Sequence, residues 1–286
     1  MDLGISGRGA AVAAASSGLG YATAEALAAN GVRVAICGRD QQRLDGAVES
    51  LRAGGGEVVG IRCDVSGLEG GRGFVIEAIE RLGGVDILVA NAGGPPAGGF
   101  GSTASEEYAK AFELNALSTV GMCEAAVPAM REAGWGRVLA ITSASVRQPT
   151  PALMLSTMAR AGATGFLKSL ALEIAADGVT VNSIQPGLHA TDRLRSLYGD
   201  NIDKAADDVP MRRVGETADF GQIAAFLCSE QAGYLTGAAV PVDGGRSDPR
   251  VNWVWLLHDG CSKATQFGHG CLYFRSAASD RAAPWV

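Results

Sequence analysis

Seven short runs of Val, Ile and Ala alternate with segments of helical period, and this alternation constrains the fold most. The runs are almost continuously apolar, as expected of parallel strands that are buried on both faces. They cover residues 10–14, 32–37, 57–62, 87–90, 136–142, 180–185 and 238–242. The helices predicted between them cover residues 19–30, 41–53, 69–82, 105–132, 152–177 and 217–229. Right-handed connections then predict an α/β fold with one doubly wound, mostly parallel sheet and helices on both faces.

The amino-acid composition limits the kinds of partner that we expect a protein of this fold to bind. The net charge is −6 and no Lys/Arg-rich run exists, so we expect no nucleic acid partner. The apolar stretches are far shorter than the ~20 residues of a membrane span, so we expect no membrane contact. The first strand begins too early to leave room for a signal peptide. Six single Cys without a CxxC motif predict buried thiols in a cytoplasmic protein, and no residue cluster has metal-ligand spacing.

Composition changes abruptly after Arg246. The segment 247–286 holds three of the four Trp and shows no clean helical or strand period. We therefore predict a single domain over residues 1–246, followed by a poorly ordered tail. The alternative is an arm that docks on the domain or on a partner subunit.

A turn rich in small residues follows the first strand. It leads directly into a helix, so free backbone N–H groups and the positive helix end would face a phosphate group. The residues expected to form this cradle are Ala14, Ser16, Ser17, Gly18, Leu19 and Gly20.

Further motifs stand at the ends of later strands. The sequence reads C-D-V at 63–65, N-A-G at 91–93, P-G-L-H-A-T at 186–191 and V-D-G-G at 242–245. With the Gly turn, and in this order, they resemble the short-chain dehydrogenase/reductase family over about residues 1–246. That family's turn usually reads T-G-x-x-x-G-x-G. Ala13 and Ala14 replace its first two residues, and Ala14 is expected to alter the site because Ala resists positive φ.

The resemblance implies a nicotinamide dinucleotide cofactor and a role for each motif. Asp64 and Val65 would contact the adenine, and the turn of Asn91, Ala92 and Gly93 would line the cofactor. The nicotinamide amide would be held by Pro186, Gly187 and Thr191.

Arg39, at the end of the second strand, indicates which of the two nicotinamide cofactors, NAD(H) or NADP(H), is expected. In the family, an acidic residue at this place would bind a ribose diol, whereas Arg suits a 2′-phosphate. We therefore expect NADP(H) to be favoured over NAD(H). The alternative is a solvated turn arginine.

Reduction of a carbonyl requires a positioned substrate and a proton donor. The family divides this work among an Asn, a Ser, a Tyr and a Lys, and Asn115 and Ser143 match the first two. The alternatives are a helix-kink Asn and an ordinary strand-end hydroxyl. Thirteen residues after Ser143, at the Tyr place, stands Ser156, and four residues further, at the Lys place, stands Arg160.

These two replacements put the proton donor in question. Ser156 and Arg160 share a helix face, but a Ser hydroxyl is a poor acid and Arg cannot relay protons. A positioned acid typically contributes about 10²–10⁴-fold to the rate. We expect His189, in the loop beside the nicotinamide, to supply the proton, with Tyr198 or water as the next candidate. The alternative for His189 is a solvent-exposed loop residue.

The resemblance thus implies an NADP(H)-dependent oxidoreductase that interconverts a carbonyl and an alcohol on a small molecule, similar to 3-oxoacyl-[acyl-carrier-protein] reductases. Family members commonly form a homodimer or homotetramer through the two long helices. The rival function is a dinucleotide-binding sensor or subunit with little turnover. The pair Ser156 and Arg160 favours the rival, whereas Asn115, Ser143 and the nicotinamide loop favour the enzyme.

Overall fold

Seven parallel strands form one sheet in the order β3-β2-β1-β4-β5-β6-β7. The computed structural model describes residues 1–247, apart from the side chains of Asp200 and Asp203. The strands are β1 Gly9–Val12, β2 Arg33–Gly38, β3 Val58–Arg62, β4 Ile87–Ala90, β5 Gly136–Ile141, β6 Val179–Pro186 and β7 Ala239–Val242. The predicted seven-stranded, doubly wound sheet is confirmed. The tail predicted over 247–286 lies outside the described residues, except for Ser247.

Helices occupy the predicted connections. They are α1 Gly18–Ala29, α2 Gln41–Ala53, α3 Gly67–Leu82, α4 Ser105–Phe112, α5 Ser118–Ala133, α6 Met154–Ile174, α7 Asp192–Tyr198, α8 Ile202–Asp207 and α9 Thr217–Leu227. The helix predicted over 105–132 is divided, because Glu113–Leu117 forms a π-helical turn between α4 and α5. In residues 1–247, no helix is both long and apolar enough to span a membrane.

Alternate residues of the strands enter two separate cores, which explains the unbroken apolar runs. From β1, Ala10 and Val12 pack on one face with α1, α2 and α9, and Ala11 packs on the other with α3, α5 and α6. Phe220 of α9 and Phe74 of α3 are among the largest fully buried side chains of these cores. Strands with both faces covered are mostly apolar, and polar side chains such as Asn182 and Gln185 of β6 are themselves buried.

Small residues allow the covering helices to pack closely. A Cβ on Gly121 of α5 would stand 2.1 Å from the carbonyl oxygen of Leu68 in α3. A Cβ on Gly71 of α3 would stand 2.3 Å from the carbonyl oxygen of Ser118 in α5. The two backbones are therefore in contact, and any larger residue at these positions would separate the helices.

The order of the strands reverses at β1. Strands β2 and β3 lie on one side of β1 in the sheet, and strands β4 to β7 lie on the other side. Helices on each side of this division leave a crevice at the carboxyl ends of β1 and β4, where α/β sheets bind their ligands.

Ala14 adopts a strained backbone conformation at this crevice. Its φ is +47°, and Arg212 is the other non-glycine residue at positive φ among the described residues. The turn after β1 forces this conformation, because the backbone N–H of Ala14 bonds to the Cys37 sulfur at 3.3 Å and that of Ala15 to the Cys37 carbonyl at 2.9 Å. A non-glycine residue in the left-handed region costs roughly 1 kcal/mol or more.

We predict that Ala14→Gly stabilises the protein. Glycine removes the left-handed strain from the folded state. Because glycine also raises the conformational entropy of the unfolded chain, part of this stabilisation is lost, and the free energy of unfolding should rise by about 0.5–1 kcal/mol. Urea unfolding measures this change. Ala13→Gly, one residue earlier at an ordinary φ, is the matched control and should lower stability. Destabilisation by both variants would contradict the strain at Ala14.

Candidate active site

A cavity of about 470 Å³ opens at the carboxyl ends of the strands. The predicted site residues that line it are Ala14, Ser17, Gly18, Leu19, Gly20, Asn91, Ala92, Gly93, Ser143, Ser156, Arg160, Pro186, Gly187, His189 and Thr191. Predicted residues outside its lining are Ser16, Arg39, Asp64, Val65 and Asn115. The fold thus brings five separate segments of sequence to one opening. No group of three or more His, Cys, Asp or Glu suited to a metal occurs within residues 1–247.

The start of α1 can accept a phosphate group. Ser17, the N-cap residue, makes no side-chain capping bond, and no acidic residue stands in the first turn. Gly18 has a φ of +62°, and a Cβ placed on it would lie 3.5 Å from the Thr191 side chain. The uncapped N–H groups and the positive end of α1 therefore face the cavity, as a pyrophosphate requires.

Two asparagines fix the backbone around this cradle. Asn91 donates from Nδ2 to the carbonyls of Ala13 and Ala14, at 3.2 Å each, which joins the end of β4 to the turn after β1. Asn115, in the π-helical turn, donates from Nδ2 to the Gly93 carbonyl at 3.3 Å. The Asn115 side chain is buried outside the cavity lining, and it supports the backbone of Gly93.

Arg39 and Asp64 lie outside the cavity, at the carboxyl ends of β2 and β3. Their closest charged atoms are 4.0 Å apart, and the Arg39 side chain is 76% exposed. Hydrogen bonds from Ser66 lower the pKa of the Asp64 carboxyl, with a smaller contribution from Arg39. An exposed pair of this kind contributes little to stability, so Arg39 is available for an anionic ligand.

Ser143 follows the carboxyl end of β5, and Ser145 orients its hydroxyl. Ser145 donates to the Ser143 Oγ from its backbone N–H at 3.1 Å and from its hydroxyl at 2.9 Å. Because the Ser143 oxygen already accepts two hydrogen bonds, its own proton is left for a group in the cavity. Ser156, on α6, lines the same cavity.

Arg160 is buried and bonded to backbone. Its Nη1 donates to the carbonyls of Ile141 and Thr142 at 3.0 and 2.7 Å, and its Nη2 to the Ala92 carbonyl at 3.3 Å. Burial lowers the pKa of Arg160 to about 10, with a smaller effect of the Arg193 charge, so the side chain is still protonated at pH 7. Much of its donor capacity holds the ends of β4 and β5 together.

His189 is neither solvent-exposed nor placed as an acid at neutral pH. Its residue is 6% exposed, and its ring meets the Phe220 ring edge to face at 5.1 Å. A Cβ on Gly215 would lie 2.9 Å from the His189 Nε2. Desolvation by burial is the largest effect and lowers the pKa of His189 below its usual 6.5.

These contacts correct both expectations for His189. The loop holds the imidazole against α9 rather than at the surface, and burial keeps it neutral at pH 7. A neutral imidazole with its Nε2 facing Gly215 is poorly suited to protonate a carbonyl. The predicted role as proton donor is thus not favoured by the geometry.

The sequence matches a family model over most of its length. The model described as "Enoyl-(Acyl carrier protein) reductase" covers residues 13–247. The chain belongs to the short-chain dehydrogenase/reductase family. The human protein "Dehydrogenase/reductase SDR family member 4" is 35% identical over 239 residues, which cover 82% of this chain and 86% of that protein.

Solved structures of short-chain dehydrogenases/reductases agree. L-sorbose reductase from Gluconobacter frateurii, complexed with NADPH and L-sorbose, is 33% identical with a TM-score of 0.82, covering 87% of this chain and 99% of that chain. A 7α-hydroxysteroid dehydrogenase complexed with NADH is 28% identical with a TM-score of 0.81, covering 88% of this chain and 98% of that chain. Since both cofactors occur among these structures, any preference must come from this chain's own residues.

Sequence reasoning missed two residues of this site. One is Ser145, which orients Ser143. Its only signal in the sequence is that it is a second serine two residues after Ser143. Arg193 lines the cavity and bonds to the Pro95 carbonyl at 2.6 Å. A single Arg at the start of a short helix gives no periodic signal, so only the folded structure shows where it points.

We predict that His189 makes stability fall in mild acid. Its pKa is lowered in the folded state, so the unfolded chain binds more protons and the free energy of unfolding falls as pH drops below about 6.5. His189→Gln, which does not titrate, should show a shallower dependence between pH 7.5 and 5.5. Urea unfolding across these pH values measures both slopes, and His269→Gln, in the tail, controls for loss of any histidine. Equal slopes for His189→Gln and the parent would contradict the burial of a neutral ring.

Proposed function

We propose that the protein is an NADP(H)-dependent oxidoreductase that interconverts a carbonyl and an alcohol on a small molecule. The observation that carries this proposal is the joining of the α1 phosphate cradle, the loop of Pro186, Gly187 and Thr191, and the hydroxyls of Ser143 and Ser156 in one cavity. When bound there, the cofactor would supply or accept the hydride. The chain's own residues have to bind the cofactor, orient the carbonyl and handle the proton.

The preference for NADP(H) rests on Arg39. Its exposed guanidinium stands at the end of β2, where the adenosine ribose would lie in this fold, and its Asp64 partner at 4.0 Å is weak competition for a phosphate. Asp40, the acidic residue beside it, accepts a hydrogen bond from the Arg43 backbone at 2.9 Å and caps α2. That carboxylate is engaged in the helix, which leaves Arg39 to meet the ribose.

Two hydroxyls would orient the substrate. Ser143, polarised by Ser145, and Ser156 would donate hydrogen bonds to the carbonyl oxygen, and the charge of Arg160 beneath them would stabilise negative charge on it. Asn115 would act as a positioning residue through Gly93. The proton would come from Tyr198, whose phenol lines the cavity, since His189 is buried and neutral.

The rival function, cofactor binding with little turnover, has its own observation. Arg160 spends three hydrogen bonds on backbone carbonyls, and position 156 carries no phenol. A screen for carbonyl-dependent NADPH oxidation, run beside a binding titration, separates the two. Tight binding with no turnover on any aldehyde or ketone would favour the rival, and absence of binding would contradict both.

The protein would also assemble as a homodimer or homotetramer. Exposed apolar side chains on the helices α4 and α6 include Phe112, Met158 and Leu172, the last of which is 74% exposed. Burial of these side chains against a second copy would remove apolar surface from water.

We predict that Arg39→Asp reverses the cofactor preference. The parent should bind NADPH more tightly than NADH, and the variant should lose about 10–100-fold in NADPH affinity, the value of a hydrogen-bonded charge. Fluorescence titration of both cofactors measures the ratio. Arg81→Asp, at an exposed site on α3, makes the same charge change as a control. Equal affinity of the parent for the two cofactors would overturn the assignment.

We also predict that a phenol at position 156 raises turnover. Ser156→Tyr with Arg160→Lys should reduce carbonyls faster than the parent, and Ser156→Tyr alone should gain less. The family's Lys both lowers the pKa of the phenol and binds the ribose. Steady-state NADPH oxidation measures the rates, and melting temperatures show whether the loss of the Arg160 bonds unfolds the site.

The matched control is Ser156→Phe with Arg160→Lys, which adds the same ring without its hydroxyl. A gain in the Tyr variant and none in the Phe variant would assign the effect to the proton. Equal rates in both variants would mean that the site is built around another donor.

A further inference from the structure

The Arg193 side chain reaches from α7 to the turn after β4, at the edge of the cavity. It stands on the first turn of α7, lines the cavity, and donates from Nη2 to the Pro95 carbonyl at 2.6 Å. Its guanidinium lies on Gly94, where an added Cβ would meet Nε at 3.0 Å. Pro95 and Gly94 follow β4, so the side chain is fixed across the opening between two elements.

The guanidinium of Arg193 has no carboxylate partner among the described residues. Its hydrogen bond to Pro95 occupies one N–H of Nη2, and within residues 1–247 as described no acceptor faces the N–H groups of Nε and Nη1. An exposed arginine whose guanidinium is held by a neutral carbonyl keeps its affinity for an anion.

The balance of charge in the described cavity lining is positive. Three arginines line it, Arg160, Arg193 and Arg246, together with one carboxylate, Asp192. Asp192 is turned outward, because its Oδ1 lies 3.3 Å from Arg195 and its Oδ2 lies 3.9 Å from Arg43, and neither arginine lines the cavity. The Arg160 and Arg193 charges are close enough for Arg193 to lower the pKa of Arg160.

Like charges that repel in a shared cavity are tolerated where a ligand brings the opposite charge. The cofactor's pyrophosphate is one such anion, but the uncapped start of α1 already offers it N–H donors. The cavity lining also includes the apolar residues Leu153, Leu188, Leu194 and Leu197. This suits a ligand with a short hydrocarbon body and one negative end.

We infer that Arg193 binds a carboxylate of the substrate, so that the reaction is the reduction of an oxo acid or the oxidation of the matching hydroxy acid. The inference rests on the proposed function and names its substrate class. The carboxylate would meet Nε and Nη1 of Arg193, while Ser143 and Ser156 receive the carbonyl oxygen. The hydrocarbon between the two groups would lie on the leucines.

The test uses short 2-oxo, 3-oxo and 4-oxo acids, each beside its methyl ester. The full chain with NADPH should show a KM about 10–100-fold lower for at least one acid than for its ester, the effect of a charge-assisted hydrogen bond. Arg193→Met should abolish that preference by raising the KM of the acid. A second readout needs no turnover: the same acid, and not its ester, should raise the melting temperature of the NADP⁺ complex of the parent and not of Arg193→Met.

Arg195→Met, two residues along α7 and outside the cavity, is the matched control and should keep the preference for the acid. Two outcomes overturn the inference. One is that no acid has a lower KM than its ester and none raises the melting temperature more than its ester does. The other is that Arg193→Met weakens NADPH binding as much as acid binding, which would assign Arg193 to the pyrophosphate. Failure of the parent to bind NADPH would instead overturn the proposed function itself.

Discussion

The pairing of β1 with β4 is the contact on which the site depends. It joins Ala10 to Ile87, Ala11 to Leu88 and Val12 to Val89, and it places the two halves of the sheet side by side. Because the connections leave these strands in opposite directions, no helix covers their carboxyl ends, and the crevice stays open. The turn after β1 and the turn after β4 therefore face one cavity, joined by the two bonds from Asn91.

Arg160 links the carboxyl ends of β4 and β5. Its guanidinium donates to the carbonyls of Ile141, Thr142 and Ala92, which lie at or just after these strand ends. A planar fork with several fixed donors suits this arrangement, and its charge persists at neutral pH despite burial. A positive charge therefore lies at the cavity lining. Under the proposed function, Arg in place of the family's Lys would affect proton transfer more than cofactor binding.

Two residues of the loop after β6 have opposite environments, although they lie four positions apart. His189 turns toward α9, where Phe220 and Gly215 enclose its ring and burial keeps it neutral. Arg193 turns toward the cavity and bonds to Pro95. The isolated bridge between His189 and Gly215 fixes the loop and so sets both directions. Packing on one side of the loop thereby positions a charge on the other.

Most of the fold and much of the cofactor cradle were predictable from sequence. Doubly buried parallel strands must be apolar throughout, and the turns between strands and helices need small or capping residues, so both leave local signals. The strand boundaries differ from the predicted ones by only one or two residues. The π-helical turn at Glu113–Leu117 was not predicted, since a single extra residue in a helix barely changes the apolar period.

The sequence by itself determined the sheet, the place of the crevice and the absence of a phenol and an amine at 156 and 160. Only the tertiary structure decided what the remaining polar side chains face. Arg160 bonds to strand ends contributed by segments 18 to 68 residues away, and the His189 pKa depends on burial against a distant helix. Directions, burial and charge balance of this kind arise from contacts between segments far apart in sequence. Residue type and local spacing do not encode them.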